Sequence, residues 1–289
     1  MVKKTNLVSE IFRDEEIPQL NAVYLIDESH NNKYTRLFHS HAVELELYFV
    51  HSGSGYYMVD NHLYTVKEGD MIICNAGILH GDAPAFNNNM RSYCCALTNV
   101  RIKDLPDNWL VDNKEMPVVS CGSFSNNIAH IMELIYMLSL GHNQLNEVCS
   151  SMAVSLLLLM HQLLLSRSRH QMRTPASEID AVVAQIKTYL DAHYSQNLTL
   201  ESISKALNMN PSYVSHSFKA EMNISPIHYL LYRRFGEAQS LLMDTELTIA
   251  EISDLLGFGN PAHFSAMFKK HVGLSPLQYK QSIEEMNSK

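Results

Sequence analysis

The sequence predicts an α+β chain, with a β-rich N-terminal half followed by an all-α C-terminal half. Three observations predict it. Between Thr35 and Val100, short β-branched and aromatic runs alternate with Gly- and Asn-bearing turns. From Glu178 onward, apolar residues recur at helical spacing. Within that helical half a single pattern occurs twice, at Leu198 to Lys219 and at Leu247 to Lys269. Thr199 aligns with Thr248, Leu207 with Leu256, Pro211 with Pro261, and Phe218-Lys219 with Phe268-Lys269.

In chain order, Met1 to Leu20 reads as an arm of mixed polarity, Asn21 to Asp27 as a first strand and Glu28 to Lys33 as a polar loop. Leu45 to Val50 is β-rich, Ser52-Gly53-Ser54-Gly55 reads as a turn, and Tyr56 to Val59 resumes the strand. Further turns fall at Asp60-Asn61, at Glu68-Gly69-Asp70 before Met71 to Cys74, and at Ala76-Gly77. Strands this short and closely spaced build a small antiparallel barrel or sandwich. Ser125 to Leu140 and Glu147 to Leu165 then read as two helices. The second is apolar nearly all round and so needs cover on more than one side. The barrel would supply one side and the same helix of a second chain the other, making a homodimer. Ser166 to Ser177, with Arg167, Arg169, Arg173 and Pro175, reads as a linker. The expected division is 1–165, a linker at 166–177, and 178–289.

Glu178 to Tyr194 opens the helical half with Ile179, Val182, Val183, Ile186, Tyr189 and Leu190 on one face. Each repeat is then a short helix, a tight turn and a second short helix, the helix-turn-helix order in which the second helix enters the DNA major groove. Thr199 is an N-cap, since its hydroxyl accepts from orphan backbone N–H groups. Pro211 suits a first helical position, where no N–H partner is needed. Gly257 and Gly259 allow positive φ in the second turn. Val214 and Phe218, and likewise Phe264 and Phe268, would face inward. Ser212, Ser215, His216 and Lys219, with Ala262, His263, Ala266 and Lys269, would face outward. The segment between the repeats, Pro226 to Met243, reads as one helix of about 17 residues, about 25 Å long. That spans most of the ~34 Å between paired recognition helices one DNA turn apart.

Composition sets limits. The 289-residue length suggests two domains, and the apolar fraction of 46% is enough to bury a core. Met152 to Leu165 is the most apolar stretch. It is short for a membrane span and contains His161. The N-terminus lacks a basic-then-apolar secretory pattern. The five cysteines show no metal-type spacing and fit a reducing cytoplasm. The net charge is −8 overall, and from Glu178 onward nine Lys/Arg face twelve Asp/Glu. A DNA-binding face must therefore be local, with Lys219, Arg233, Arg234, Lys269, Lys270 and Lys280 as its cations. One monomer would bind weakly and in a salt-sensitive way.

The tandem pattern resembles the AraC/XylS family of bacterial transcription regulators. The resemblance is carried by Arg234-Phe235-Gly236-Glu237-Ala238 with Leu241-Leu242, Gly257-Phe258, Phe264-Ser265, Phe268-Lys269-Lys270, and Gly273-Leu274-Ser275-Pro276 with Tyr279. It implies a sequence-specific regulator of double-stranded DNA, no enzyme activity, and RNA polymerase as a further partner. It also implies bases read by Ser212, Ser215, His216, Ala262, His263 and Ala266, and phosphate met by Lys219, Lys269, Lys270 and Arg234. His216 and Ala266 stand where the family often has arginine, which points to apolar or hydroxyl readout such as thymine methyls.

The β-rich half resembles a cupin jelly-roll barrel, through His39-Ser40-His41, Glu46, Gly53, Gly69, Gly77 and His80. It departs from that pattern at Asn75 and Pro84. The resemblance implies a small-molecule effector in the barrel, here expected to be a sugar. Arg36, Phe38, His39, His41, Glu46, Tyr48, Tyr57, His80 and Trp109 are the candidate contacts. The same four residues, His39, His41, Glu46 and His80, hold a metal in enzymatic cupins, and their imidazole and carboxylate donors suit a divalent transition metal. The rival readings are a metal-dependent cupin enzyme with a helical accessory domain, and a protein-binding module.

Overall fold

The computed structural model describes residues 11–13, 17–27, 37–60, 62–82, 89–141, 146–166 and 178–287. Arg36, Pro84 and the linker from 167 to 177 lie outside the described residues.

Among the described residues, seven strands form one antiparallel sheet: β1 (Gln19–Ile26), β2 (Leu45–Val59), β3 (His62–Lys67), β4 (Asp70–Cys74), β5 (His80–Asp82), β6 (Asn89–Thr98) and β7 (Val118–Ser120). The order is β1-β6-β2-β4-β7, with β3 and β5 also paired to β2. Strand β2 is the spine. Its first half pairs with β4 and β6 and its second half with β3 and β5. The expected turn at Ser52 to Gly55 is instead continuous strand, bent by a bulge between Val50 and Ser52. Gly53, at φ +82, lies so close to β6 that a side chain there would overlap the Asn89 carbonyl. The glycine serves close approach and strand bending rather than chain reversal.

Alternation along β2 sorts its side chains. Leu45, Leu47 and Phe49 join a core shared with α1 (Ser125–Ser139) and α2 (Asn146–Ser166). On the opposite face Tyr48 and Val50 meet Tyr57, Val59, Tyr64, Val66, Ile72 and Cys74, and Glu46 shares that face by strand alternation. Cys149, Ala153, Leu156, Leu157 and Met160 anchor α2 to the first core. Each leucine or methionine so buried contributes about 1.5–3 kcal/mol. The helix extends beyond the expected apolar run. Glu147–Ser166 is long and apolar enough to cross a membrane by length and composition.

The helical half comprises α3 (Glu178–Ala192), α4 (Leu200–Ala206), α5 (Pro211–Met222), α6 (Pro226–Asp244), α7 (Ile249–Leu255), α8 (Pro261–Val272) and α9 (Pro276–Asn287). It has two cores. One gathers Ile203, Val214, Phe218 and Tyr229 with Val183, Ile186 and Leu190 of α3. The other gathers Ile252, Leu256, Phe264, Phe268 and Tyr279 with Phe235, Ala238 and Leu242 of α6. Helix α6, 19 residues and hence about 28 Å long, contributes to both.

Candidate functional site

Local chemistry fixes each helix-turn-helix, with α4–α5 the first reading head and α7–α8 the second. Thr199 accepts from Ser202 N–H and Ser202 Oγ accepts from Thr199 N–H. Thr248 and Glu251 repeat this reciprocal cap. The first turn closes with Asn208 at φ 54, the second with Gly257 at φ 73 and Gly259 at φ 62. Asn210 and Asn260 then cap α5 and α8, each followed by proline at the first helical position. Val214, Phe218, Phe264 and Phe268 are fully buried.

The opposite faces are open. Ser212, His216, Ala262, His263 and Ala266 are exposed and Ser215 is half-buried. Tyr213 is 49% exposed beside them. It is not among the residues expected to face bases, although with Pro211 set on Pro261 it occupies the position of His263. Lys219, Lys269 and Lys270 are exposed near the ends of the same helices.

Arg234, expected at a phosphate, is instead buried. Its Nε donates to the Tyr194 carbonyl and its Nη2 to the Gln196 carbonyl, both at 2.6 Å. A longer bond runs to the Gly257 carbonyl, and the guanidinium lies 5.2 Å from the Phe258 ring centre. The planar fork satisfies carbonyls that neither α3 nor the second turn can pair internally. Arg233 is also inside, bonded to Glu237 at 2.8 Å and stacked on Tyr194. Lys280 faces Glu246 at 3.2 Å. Of the six cations expected on one basic face, Lys219, Lys269 and Lys270 are the ones offered to a polyanion.

In the sheet half, His39, His41, Glu46 and His80 converge, with one potential ligand atom from each within 4.8 Å of the others. Main-chain bonds of 3.0 and 2.9 Å pair His39 with His80, and β2 carries Glu46. Nδ1 of His39 donates to the Leu37 carbonyl at 2.7 Å, and Nδ1 of His80 to the Ile78 carbonyl at 2.8 Å. A carbonyl only accepts, so both rings hold a proton on Nδ1 and turn Nε2 to the cluster. Nε2 of His80 lies 3.1 Å from one Glu46 oxygen and Nε2 of His41 lies 3.2 Å from the other. Nδ1 of His41 faces Glu44 at 3.2 Å. Burial pushes the Glu46 carboxyl up, but the hydrogen bonds and charges of His41 and His80 outweigh it and hold the group well below the usual carboxylate range. Imidazole nitrogens facing a carboxylate call for positive charge between them, from ring protons or from a divalent ion. Nδ1–H anchored on a main-chain carbonyl is the usual outer support of a metal-binding histidine. The residues therefore fit a transition metal as well as a hydroxyl-rich ligand.

The expected aromatic contacts separate. Tyr48 and Tyr57, each 3% exposed, lie against one another with ring centres 4.8 Å apart, on the same face as Glu46. Burial pushes both phenols well above their ordinary range, which keeps them as donors. Trp109 commits its indole N–H to the Ala76 carbonyl at 3.0 Å. Phe38 is not on that face. It packs in the core of the first head, 5.4 Å from the Tyr229 ring, while the adjacent His39 joins the cluster.

The family description "AraC-like ligand binding domain" matches residues 20–160, and "Helix-turn-helix domain" matches residues 203–282. An uncharacterized HTH-type transcriptional regulator of Escherichia coli K12, YdiP, is 30% identical over 283 residues, covering 96% of this chain and 91% of that protein. The lactose operon transcription activator of Staphylococcus xylosus is 26% identical, covering 83% of this chain and 85% of that protein. Among solved structures, the C-terminal domain of the response regulator AraT from Geobacillus stearothermophilus is 41% identical with a TM-score of 0.36, covering 37% of this chain and 88% of that one. With two capped reading heads behind a β-rich half that matches a ligand-binding domain, the chain belongs to the AraC family of transcriptional regulators.

Proposed function

We propose that α5 and α8 read DNA bases through Ser212, Ser215, His216, Ala262, His263 and Ala266, joined by Tyr213, while Lys219, Lys269 and Lys270 meet phosphate. The observation that carries this is the exposure of both faces on helices whose opposite sides are fully buried. With few cations and no arginine on these faces, affinity per monomer is weak and falls with salt. Fluorescence anisotropy on genomic fragments from 50 to 300 mM salt tests it. Binding that ignores salt would sink the interface. The domains follow the division 1–165, 166–177 and 178–289, and the chain acts in the cytoplasm as a regulator rather than an enzyme, with RNA polymerase as a downstream contact.

The effector binds inside a cupin-like sheet half, against the His39/His41/Glu46/His80 cluster and the Tyr48–Tyr57 pair. A sugar or polyol is the first reading. Tyrosine and histidine groups match hydroxyls, and one relative is named for a lactose operon. A panel of sugars in thermal shift assays tests it, and a flat response across the panel removes the sugar. The second reading is a divalent transition metal, favoured by the anchored Nδ1–H groups. Elemental analysis of the purified chain decides, since a real site holds about one equivalent and less than about a tenth discards it.

The chain acts as a homodimer. Leu134 and Met137 of α1, Leu140 just after it, and Val148 and Leu165 of α2 are exposed to between 46% and 67%, an apolar surface suited to an isologous contact. Two tethered reading heads per chain, doubled, also raise avidity.

A further inference from the structure

One dipeptide ties the sheet half to both reading heads. The Leu37 side chain, 1% exposed, sits in the core of the second head, and Phe38, 2% exposed, in the core of the first. Their backbone lies directly on α6, where a side chain at Gly236 would overlap the Phe38 carbonyl oxygen. The Leu37 N–H donates to Gln239 Oε1 of α6 at 3.0 Å, and Gln239 is itself buried. On its other side, the Leu37 carbonyl accepts from Nδ1 of His39, and His39 joins the cluster with His41, Glu46 and His80. A continuous chain of contacts thus runs from the cluster through His39 and Leu37 to Gln239 on the helix common to both heads. A second tie lies nearby. The buried ammonium of Lys187 on α3 donates to the Asp60 carbonyl at 2.9 Å and sits 3.2 Å from Met58 Sδ.

We propose that residues 37–39 are a latch, through which the state of the His39/His41/Glu46/His80 cluster sets whether Leu37 and Phe38 stay seated in the two reading heads. This rests on the reading of that cluster as the effector site. A ligand that prefers one cluster geometry then prefers one presentation of the DNA-binding helices, and the coupling works equally in reverse.

Gly236→Ala tests the latch from the helix side. The added methyl meets the backbone of Leu37 and Phe38, while alanine is a better helix former than glycine, so α6 itself stays formed. In full-length protein followed by amide hydrogen exchange, peptides covering 37–60 should exchange about tenfold faster or more, with the far-ultraviolet helix signal unchanged. Exchange equal to wild type would show that the dipeptide is not held on α6 and would overturn the proposal. Glu46→Gln tests it from the cluster side, by removing the charge that His41 and His80 share. Peptides beginning at Leu37 should again open faster. If they stay protected, the cluster does not govern the latch and the proposal falls. Anisotropy on wild-type protein separates this from the DNA reading. A chain that fails to bind DNA sinks the interface while the exchange results still decide the latch.

Discussion

Replacing Arg234 with alanine should damage folding and leave the ionic component of DNA binding intact. The side chain makes two 2.6 Å bonds to main-chain carbonyls and a third at 3.4 Å, at 7% exposure. A hydrogen bond from a charged donor is worth about 1.5–3 kcal/mol net. Water re-enters to satisfy some of the carbonyl demand, so the lower end applies and the two short bonds together come to about 3 kcal/mol. For a chain of this size that lowers the melting midpoint by roughly 6–12 °C. Arg234→Lys should recover little, because lysine lacks the rigid planar fork whose Nε and Nη2 reach the Tyr194 and Gln196 carbonyls separately. Lys269→Ala is the contrasting variant. It should leave the midpoint in place and reduce the slope of log affinity against log salt by about 0.9. The assays are circular-dichroism melting and anisotropy across a salt series. An Arg234→Ala protein that unfolds within about 0.5 kcal/mol of wild type, the range of an ordinary surface change, would refute the buried role.

Lys187 gives a pH signature. Burial pushes its ammonium down from 10.5 to about 8, against the pull of Asp191 and the carboxylate of Asp60, and Arg233 lowers it further, with the Tyr229 ring facing it from α6. A depressed lysine contributes stability fully present above its unfolded pKa and lost as pH falls through its folded one. Wild type should therefore gain stability between pH 8 and 10.5 relative to Lys187→Met, read from urea midpoints at each pH. Parallel curves would show that the ammonium is not buried. Thr199→Ala removes the oxygen that accepts from Ser202 N–H and should cost about 1 kcal/mol in the same assay, with no change if the cap is not formed. Leu134→Asp should convert the proposed dimer to monomer by sedimentation velocity without loss of secondary structure, and a wild-type chain that already sediments as monomer removes the dimer.

The helical half is legible in the sequence because its signals are local. Thr, Asn-Pro and Gly mark caps and turns by their own chemistry, and Val214, Phe218, Phe264 and Phe268 mark the inward face by spacing. Helix α9 lacks a strong apolar period of its own, yet the repeat announces it. Asn223-Ile224-Ser225-Pro226 recurs as Gly273-Leu274-Ser275-Pro276, and Tyr229 recurs as Tyr279, both buried. The same register singles out Tyr213. Arg234 is not placeable from sequence, because a cation's fate depends on which carbonyls lie orphaned nearby, and Tyr194 and Gln196 are distant along the chain. In the sheet half His39, His41, Glu46 and His80 are nameable through the resemblance to a cupin, and their imidazole and carboxylate groups agree with it. The strand through Ser52 to Gly55 reads as a turn because glycine looks alike whether it reverses a chain or admits a neighbouring strand. Phe38 is hidden because nothing in its sequence neighbourhood shows that the helical half covers it.

The two reading heads share α6 but not a core. Each has its own cap chemistry, Ser202 in one and Glu251 in the other, and its own buried phenylalanines, Phe218 in one and Phe264 with Phe268 in the other. Tyr194 and Tyr232 pack against both cores, so the heads meet along α6 while their outer surfaces stay separate. If both heads read bases as proposed, half-site preferences would drift separately over generations, while α6 between them would fix how far apart the two words are written on the DNA.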